Sequence, residues 1–419
     1  MIEHALADGV AEQFGSLLRR LRTDTGLTQR MLADLSTISE RAIRDLEQGK
    51  ARPRTDTVRL IAEALRLGRF ARASLERAAN TGRGSRPTLD AVLAAPPAVL
   101  NTMIGREQET AAVTGELVRG TSRLVVLRGL PGVGKTRLAV EVARALHTGS
   151  RMPVLWLTRP GAIAADSPAQ DRWLADLLNT AARALFDAGH DLTALTEAIG
   201  DRDTLLVLDD GLPRTEAVLS LLGECPGLRV LVTTTETAAL PGERAFLVAP
   251  LAVPDGTHDA RAVAAAPAVR LFLTHLDRAR PGYRLTAAHA PVVADICAAV
   301  DGLPPALATA ASWLAVYDLP ALSDLLRIDP AALLDPGLLA RLAAHVAALP
   351  AAERAALTAL ADLGPDASLP GLAAATGHDP AAAGLLLRNL VLHGVVRARQ
   401  TAAGSRFRVL ALTRPRPRS

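Results

Sequence analysis

Residues 124–146 read LVVLRGLPGVGKTRLAVEVARAL, an apolar run, a glycine-rich turn and an amphipathic segment in direct succession. The first part has the continuous apolar character of a strand buried on both faces, and the last has apolar residues at helical spacing. The turn between them matches the pattern GxxxxGK[ST]. In a strand–loop–helix unit of this kind, backbone N–H groups and a helix N-terminus converge on one point, where they attract phosphate. The stretch therefore predicts an α/β fold built around a phosphate-binding loop.

Lys135 lies in this turn and is one of only two lysines among 47 basic residues; the other is Lys50. The slim ammonium of lysine can pass a backbone cradle and reach the β- and γ-phosphates, which the planar fork of arginine does poorly. The hydroxyl of Thr136 would be offered to Mg²⁺. We expect ATP or ADP as the ligand. The residues of this stretch predicted to bind it are Gly129, Gly132, Val133, Gly134, Lys135, Thr136 and Arg137.

Composition limits the class of protein. The chain has 419 residues, 49% of them hydrophobic and 21% charged, which predicts a globular protein of two to four domains. Two cysteines, Cys225 and Cys297, do not make a disulfide framework, and the N-terminus lacks the features of a signal peptide. No apolar run reaches the length of a membrane span, so we expect a cytoplasmic protein with no membrane partner. The net charge of +4 permits a nucleic-acid partner without arguing for one.

Short apolar runs alternate with helical patterns from residue 101 to residue 250, which predicts a parallel sheet. The run at 204–210 ends in two acids, Asp209 and Asp210. Downstream of a phosphate loop, Asp209 would hold Mg²⁺ through water and Asp210 would orient or polarise an attacking water. Without that loop, two acids after a strand would be a solvated strand end. The five runs are 123–127, 153–158, 204–210, 229–234 and 245–249.

The remainder of the chain after residue 250 is predicted to be mainly helical. Residues 259–335 are rich in alanine and have helical patterns. Residues 343–412 give two or three helices followed by a turn between two short strands. Helices followed by a β-hairpin are typical of a winged helix.

Five motifs in a fixed order carry a resemblance to a known family. The chain is similar to the NB-ARC ATPases of the STAND class, in particular to bacterial members attached to transcription regulators, over roughly residues 101–412. The resemblance implies that Ile104 and Arg106 flank the adenine and that Pro304 contacts the nucleotide. Without it, the first motif is a loop that enters a helix and the last is a proline-marked helix start. The motifs are IGRE at 104–107, the phosphate loop, LLVLDD at 205–210, RVLVTT at 229–234 and DGLPPAL at 301–307.

Two departures from the family pattern bear on hydrolysis. The family usually ends its fourth strand in TTR or TSR, with an arginine near the γ-phosphate, whereas this chain has Thr235 at that position. The histidine signature of the winged helix is not recognisable, and His393 is either its relic or a structural histidine. We therefore expect nucleotide binding, with slow hydrolysis if any.

Residues 14–67 predict a compact module of short helices. Thr28 and Ser39 are predicted to cap two of them. The order resembles the XRE, or phage-repressor-like, helix-turn-helix family, although Thr37 stands where that family commonly has glycine in the turn. The residues expected in its core are Leu17, Leu18, Leu21, Leu32, Leu35, Ile43, Leu46, Leu60, Ile61 and Leu65.

This resemblance implies that the helix at 40–48 enters the major groove of double-stranded DNA. Arg41 and Glu40 would then read base edges, since arginine favours guanine and glutamate cytosine. The alternative is that these charges form the solvated face of a protein-interaction module. The other residues predicted to bind DNA, mainly at phosphates, are Gln29, Ser39, Arg44, Lys50, Arg52 and Arg54.

The sequence therefore predicts a multidomain chain: an all-α DNA-binding head, an α/β P-loop domain with a parallel sheet, an α-helical subdomain and a winged helix. The two resemblances imply a nucleotide-switched transcription regulator of actinobacterial type, for which a homo-oligomer and an unidentified signalling protein are candidate partners. An ADP-locked binding module and a motor-type ATPase remain as alternatives. The boundaries are 1–80 for the head, 81–100 for a linker, 101–250, 251–335 and 336–412 for the next three domains, and 413–419 for a basic tail.

Overall fold

The computed structural model describes residues 14–414, except for 24, 52, 66, 68–71, 73–74, 76–78, 80–94, 100, 160–171, 188–191, 255–258 and 403. The described residues belong to two compact units. The first is drawn from residues 1–90, 169–175 and 193–199, and the second from residues 91–168, 176–192 and 200–419. Most of the predicted linker, most of the basic tail and Arg52 lie outside the described residues.

The described residues of the first unit up to Leu65 contain four short helices. They are α1 at 14–23, α2 at Gln29–Ser36, α3 at Glu40–Glu47 and α4 at Thr55–Ala64. The side chain of Thr28 accepts a hydrogen bond of 3.1 Å from the backbone N–H of Met31, and Ser39 accepts one of 3.2 Å from Ala42. Both predicted N-caps are therefore confirmed, and they place α2 and α3 in the order of a helix-turn-helix.

The core of this part is largely the predicted one, except for Leu35 and for Leu60, which is half-buried and lies outside the described core cluster. Leu18, Leu32, Ile43 and Ile61 are fully buried, but Leu35 is 59% exposed. The inward face of α2 is formed by Leu32, Ala33 and Ser36, and Leu35 lies about 100° round the helix from its centre. The prediction that Leu35 is a core residue was therefore wrong. Leu35 follows Leu32 by three residues, which places it on the side of the helix opposite to Ala33.

Thr37 ends α2 in the left-handed region, with φ of 58° and ψ of 24°. A β-branched side chain is strained there, whereas glycine is not. We expect Thr37→Gly to raise the free energy of unfolding of the first unit by about 0.5–1 kcal/mol. Calorimetry of the full chain would measure this as a higher melting temperature for that unit. Thr37→Ala keeps a Cβ and should give no gain; an equal gain in both variants would rule out backbone strain.

A five-stranded sheet forms the centre of the second unit. The strands are β1 at Leu124–Arg128, β2 at Val154–Thr158, β3 at Thr204–Asp209, β4 at Leu228–Thr234 and β5 at Arg244–Leu247. Their order is β2-β3-β4-β1-β5, and every neighbouring pair is parallel. The predicted parallel sheet is thus confirmed, and each strand lies within two residues of its predicted bounds. Since all strands run the same way, the segments that follow them meet at one edge, where α/β folds bind ligands.

In the sequence, helices precede β1 and connect most of the strands that follow it. In chain order they are α5 at Glu107–Arg119, α6 at Lys135–Ser150, α7 at Arg172–Phe186, α8 at Thr193–Ile199 and α9 at Thr215–Glu224. Strands β1 and β3 are buried along their whole length, as expected for apolar strands covered on both faces.

The C-terminal part of the second unit is helical and ends in a hairpin. Its helices are α10 at Ala260–Ala265, α11 at Pro267–Ala279, α12 at Ala290–Ala299, α13 at Pro304–Ser312, α14 at Leu319–Ile328, α15 at Pro336–Ala347, α16 at Ala351–Leu363, α17 at Leu369–Thr376 and α18 at Pro380–Leu392. Strands β6 at Val396–Thr401 and β7 at Gly404–Val409 pair in antiparallel fashion. The predicted hairpin is therefore present. Its apolar side chains join one core with those of the sheet. Among the described helices, none combines the length and apolar character that a membrane span needs.

Candidate functional site

The loop between β1 and α6 has the backbone that its glycines predict. Gly129, Gly132 and Gly134 all have positive φ, at 153°, 77° and 101°. A Cβ at Gly129 would collide with the carbonyl oxygen of Val248, so a side chain is excluded there by backbone as well as by conformation. The loop leads directly into α6, whose first residue is Lys135. Backbone N–H groups and the N-terminus of a long helix are thus directed to one point, where an anion would be stabilised.

Lys135 lies inside this loop and not on the surface. Its side chain is buried, and Nζ donates hydrogen bonds of 3.0 Å to the carbonyl oxygen of Gly129 and 2.9 Å to that of Leu130. Burial lowers the pKa of the ammonium to about 8, although the nearby carboxylates of Asp210 and Asp209 oppose the shift. Two neutral carbonyls are weak partners for a buried cation, and phosphate oxygens would be stronger ones. The position therefore suits a phosphate ligand.

Thr136 and Asp209 come together next to the lysine. The Thr136 hydroxyl donates a hydrogen bond of 2.8 Å to Asp209 Oδ1. Burial raises the pKa of the Asp209 carboxyl, while hydrogen bonds from Thr233 and Thr136 oppose this. A hydroxyl and a carboxylate side by side are hard oxygen donors, which Mg²⁺ prefers. The described residues contain no cluster of three or more acidic, histidine or cysteine ligands. These two side chains therefore fit a Mg²⁺ ion whose remaining ligands are phosphate oxygens and water.

Thr233 holds the acidic end of β3 and was not singled out by sequence reasoning. Its Oγ1 donates a hydrogen bond of 2.6 Å to Asp209 Oδ1 and accepts one of 3.0 Å from the backbone N–H of Asp210. Asp210 is exposed and has a φ of 65°, which is costly for a residue other than glycine. Thr233 therefore fixes both acids that the sequence predicts as functional. The available signal was its position at the end of the neighbouring strand in a parallel sheet.

Of the other predicted nucleotide contacts, Arg106 is the one whose side chain contacts the loop among the described residues. Arg106 is buried, and its guanidinium donates to the carbonyl oxygens of Val133, at 3.2 Å, and of Ala249. It thus holds the loop by its backbone. Ile104 is half-buried. Arg137 donates to the carbonyl oxygen of Asn101 and pairs with Glu141 at 2.7 Å.

Three C-terminal segments contact the same loop. Pro304 begins α13, and Pro305 Cγ lies 3.1 Å from the position of a Cβ on Gly132. Leu338 of α15 lies 2.7 Å from that position. Gly394, just after α18, would place a Cβ 3.3 Å from Leu130 Cγ. The helical region and the segment before the hairpin therefore both pack on the phosphate loop.

His393 belongs to a small polar cluster at this contact. Its Nε2 lies 3.2 Å from Glu353 Oε2, and the side-chain amide of Asn389 donates a bond of 2.9 Å to Glu353 Oε1. His345 Nε2 lies 3.0 Å from the carbonyl oxygen of His393. Burial lowers the pKa of both imidazoles, so both are held in the neutral form near neutral pH.

In the first unit, α3 presents a charged outer face. The Arg41 side chain is 91% exposed, while Arg44 and Glu40 pair at 2.9 Å. The side-chain amide of Gln29 instead donates a hydrogen bond of 2.7 Å to the carboxylate of Glu47. The same carboxylate forms an ion pair with Arg22 at 2.6 Å. Gln29 and Ser39 are thus engaged within the module. Lys50 and Arg54 are exposed.

Comparisons with known proteins bear on the N-terminal helices and on about half of the chain. Residues 13–75 match the family model of a helix-turn-helix domain. A Mycobacterium tuberculosis protein with the predicted role of an HTH-type transcriptional regulator is 32% identical over 202 residues, which cover 46% of this chain and 20% of that protein. An uncharacterised Mycobacterium bovis protein is 30% identical over 230 residues, 51% of each chain. The chain thus matches only a fifth to a half of the length of these relatives.

Among solved structures, NtrX from Brucella abortus in complex with ATP is 16% identical, with a TM-score of 0.25 over 80% of this chain and 76% of that one.

Proposed function

We propose that the chain is a nucleotide-controlled DNA-binding transcription regulator of the NB-ARC, or STAND, type. Nucleotide binding is proposed because Lys135, Thr136 and Asp209 lie close together at one edge of the sheet. The DNA half is supported by the match of residues 13–75 to a helix-turn-helix domain and by the similarity to HTH-type regulators. The outer face of α3 would then lie in the major groove as an XRE-type reading helix.

Each residue of the nucleotide site has a distinct role in this proposal. The backbone of the loop and Lys135 bind the β- and γ-phosphates of ATP, and the β-phosphate of ADP. Thr136 and Asp209 hold Mg²⁺, which when bound neutralises phosphate charge. Asp210 orients a water molecule for slow hydrolysis, and Thr233 keeps Asp209 and Asp210 in place. Pro305, Leu338 and Gly394 pack on the loop. A change of nucleotide would therefore alter the packing of α13 and of the proposed winged helix at 336–412 against the loop.

The test is the affinity of the full chain for its DNA site with ATP analogue, with ADP and with neither. We expect at least a fivefold difference between the two nucleotides, with a parallel change in oligomeric state or in protease sensitivity near Gly394. Equal DNA affinity and equal protease patterns in all three conditions would refute nucleotide control.

A second candidate is a module locked on ADP. It is favoured by the position of Thr235, where the family pattern has an arginine, and by the packing of Gly394 on the loop. Denaturing the purified protein and identifying the released nucleotide separates the two. ADP that does not exchange with added ATP would support the locked module, whereas free exchange would support the switch.

A further inference from the structure

Arg159 follows β2 and lies at the same edge of the sheet as the phosphate loop and the two acids. We propose that its guanidinium binds the terminal phosphate of ATP, so that Arg159 distinguishes ATP from ADP. This rests on the proposed nucleotide site, and it assigns to that site a residue that directly follows a strand with no recognised nucleotide motif.

The position of Arg159 is defined by three contacts. Its backbone N–H donates a hydrogen bond of 3.2 Å to the carbonyl oxygen of Asp209. Its Cδ lies 2.9 Å from where a Cβ of Gly211 would be, and its Nη1 lies 3.6 Å from Glu236 Oε1. Strand β3 lies between β2 and β4, and Glu236 follows β4. The side chain therefore passes over the end of β3, beside Asp209 and Asp210, and Gly211 leaves the space for it.

The charges of the site call for a cation at this place. ATP with Mg²⁺ retains about two negative charges, which would be repelled by the carboxylates of Asp209 and Asp210. Lys135 is the buried cation of the loop that offsets part of this repulsion. The γ-phosphate is the group nearest to the acids, because Thr136 and Asp209 mark the Mg²⁺ position at the end of β3. ADP lacks this group, so a cation placed above β3 would favour ATP selectively.

Arg159 is available for such a role, whereas two neighbouring arginines are not. The guanidinium of Arg128 is buried, pairs with Glu243 and donates to the carbonyl oxygens of Glu236 and Ala238. Arg106 is buried and bound to backbone carbonyls and Glu109. In contrast, the side chains of Arg159 and Glu236 are 53% and 49% exposed, and their ion pair is long. An exposed pair of this kind costs little to break, so the phosphate can take the place of Glu236.

The experiment measures dissociation constants of the full chain for ADP and for a non-hydrolysable ATP analogue, by calorimetry with Mg²⁺. We expect Arg159→Gln to weaken the ATP analogue about tenfold, as for a lost hydrogen bond to a charged group, and ADP less than twofold. Arg159→Lys should recover part of the loss. The matched control is Arg123→Gln, an exposed arginine before β1 at the opposite edge, which should change neither constant.

The possible outcomes separate this inference from the function on which it rests. If the wild-type chain binds neither nucleotide, the proposed function fails. If the wild-type chain binds both and Arg159→Gln weakens them equally or not at all, the nucleotide site stands and the role of Arg159 is refuted. A normal melting temperature for the variant excludes loss of folding as the cause of weaker binding.

Discussion

Lys135→Ala is expected to weaken ATP and ADP binding by at least about 100-fold. Removal of the ammonium takes away the buried cation that faces the phosphates, and charge-assisted hydrogen bonds of this kind contribute about 1.5–3 kcal/mol each. Nζ also donates hydrogen bonds to two loop carbonyls, at 3.0 and 2.9 Å, so the variant loses an internal support of the loop as well. Calorimetric titration with each nucleotide would measure the effect.

The chain offers a matched control because it has only one other lysine. Lys50→Ala removes the same charge from an exposed position in the other unit and should leave nucleotide affinity unchanged. Lys135→Arg should fail nearly as badly as alanine, because the guanidinium does not fit the space that the ammonium occupies. Undiminished ATP binding by Lys135→Ala, with the protein folded, would contradict the assignment of the phosphate loop.

Arg41→Ala is expected to reduce discrimination between the DNA site and unrelated sequences by about 1–3 kcal/mol, as for one lost bidentate base contact. The Arg41 side chain is 91% exposed and its contact with Asp45 is long, at 3.9 Å, so little would have to be rearranged for it to enter a groove. The site would first be found by selection from random DNA. Affinities for selected and scrambled duplexes would then be compared at one salt concentration.

The control is Arg59→Ala, which removes an arginine of α4 that pairs with Glu63 at 3.6 Å. It should reduce affinity for the two duplexes by the same small factor. If Arg41→Ala also weakens both duplexes equally, Arg41 contacts phosphate instead of a base edge. If it weakens neither, the charged face of α3 is that of a protein-interaction module.

Local features of the fold were predictable because each depends on neighbours in the chain. The phosphate loop follows from glycine spacing between a strand and a helix. The caps at Thr28 and Ser39 follow from the preference of short hydroxyl side chains for helix starts. Leu35 shows the limit of such reasoning, because apolar character alone did not establish which side of α2 faces the core.

Within the candidate site, sequence reasoning identified Lys135, Thr136 and Asp209, and the structure brings the three together. It did not identify Thr233 or Arg159. Arg159 lies in no motif, and Thr233 is part of RVLVTT, where the sequence alone assigned it no role. Their importance follows from which strands are neighbours, and chain order does not state this, since β3 and β4 come after β2 and yet separate it from β1.

The sequence by itself therefore predicted three local features: a candidate phosphate loop, an acidic strand end and a helix-turn-helix head. Tertiary structure alone decided which other residues lie next to the loop and the acidic strand end. The order β2-β3-β4-β1-β5 places Arg159 above β3 and Thr233 beside Asp209, and packing brings Gly394 against the loop. The physical reason is that a parallel sheet gathers the carboxyl ends of its strands at one edge, whatever their separation along the chain.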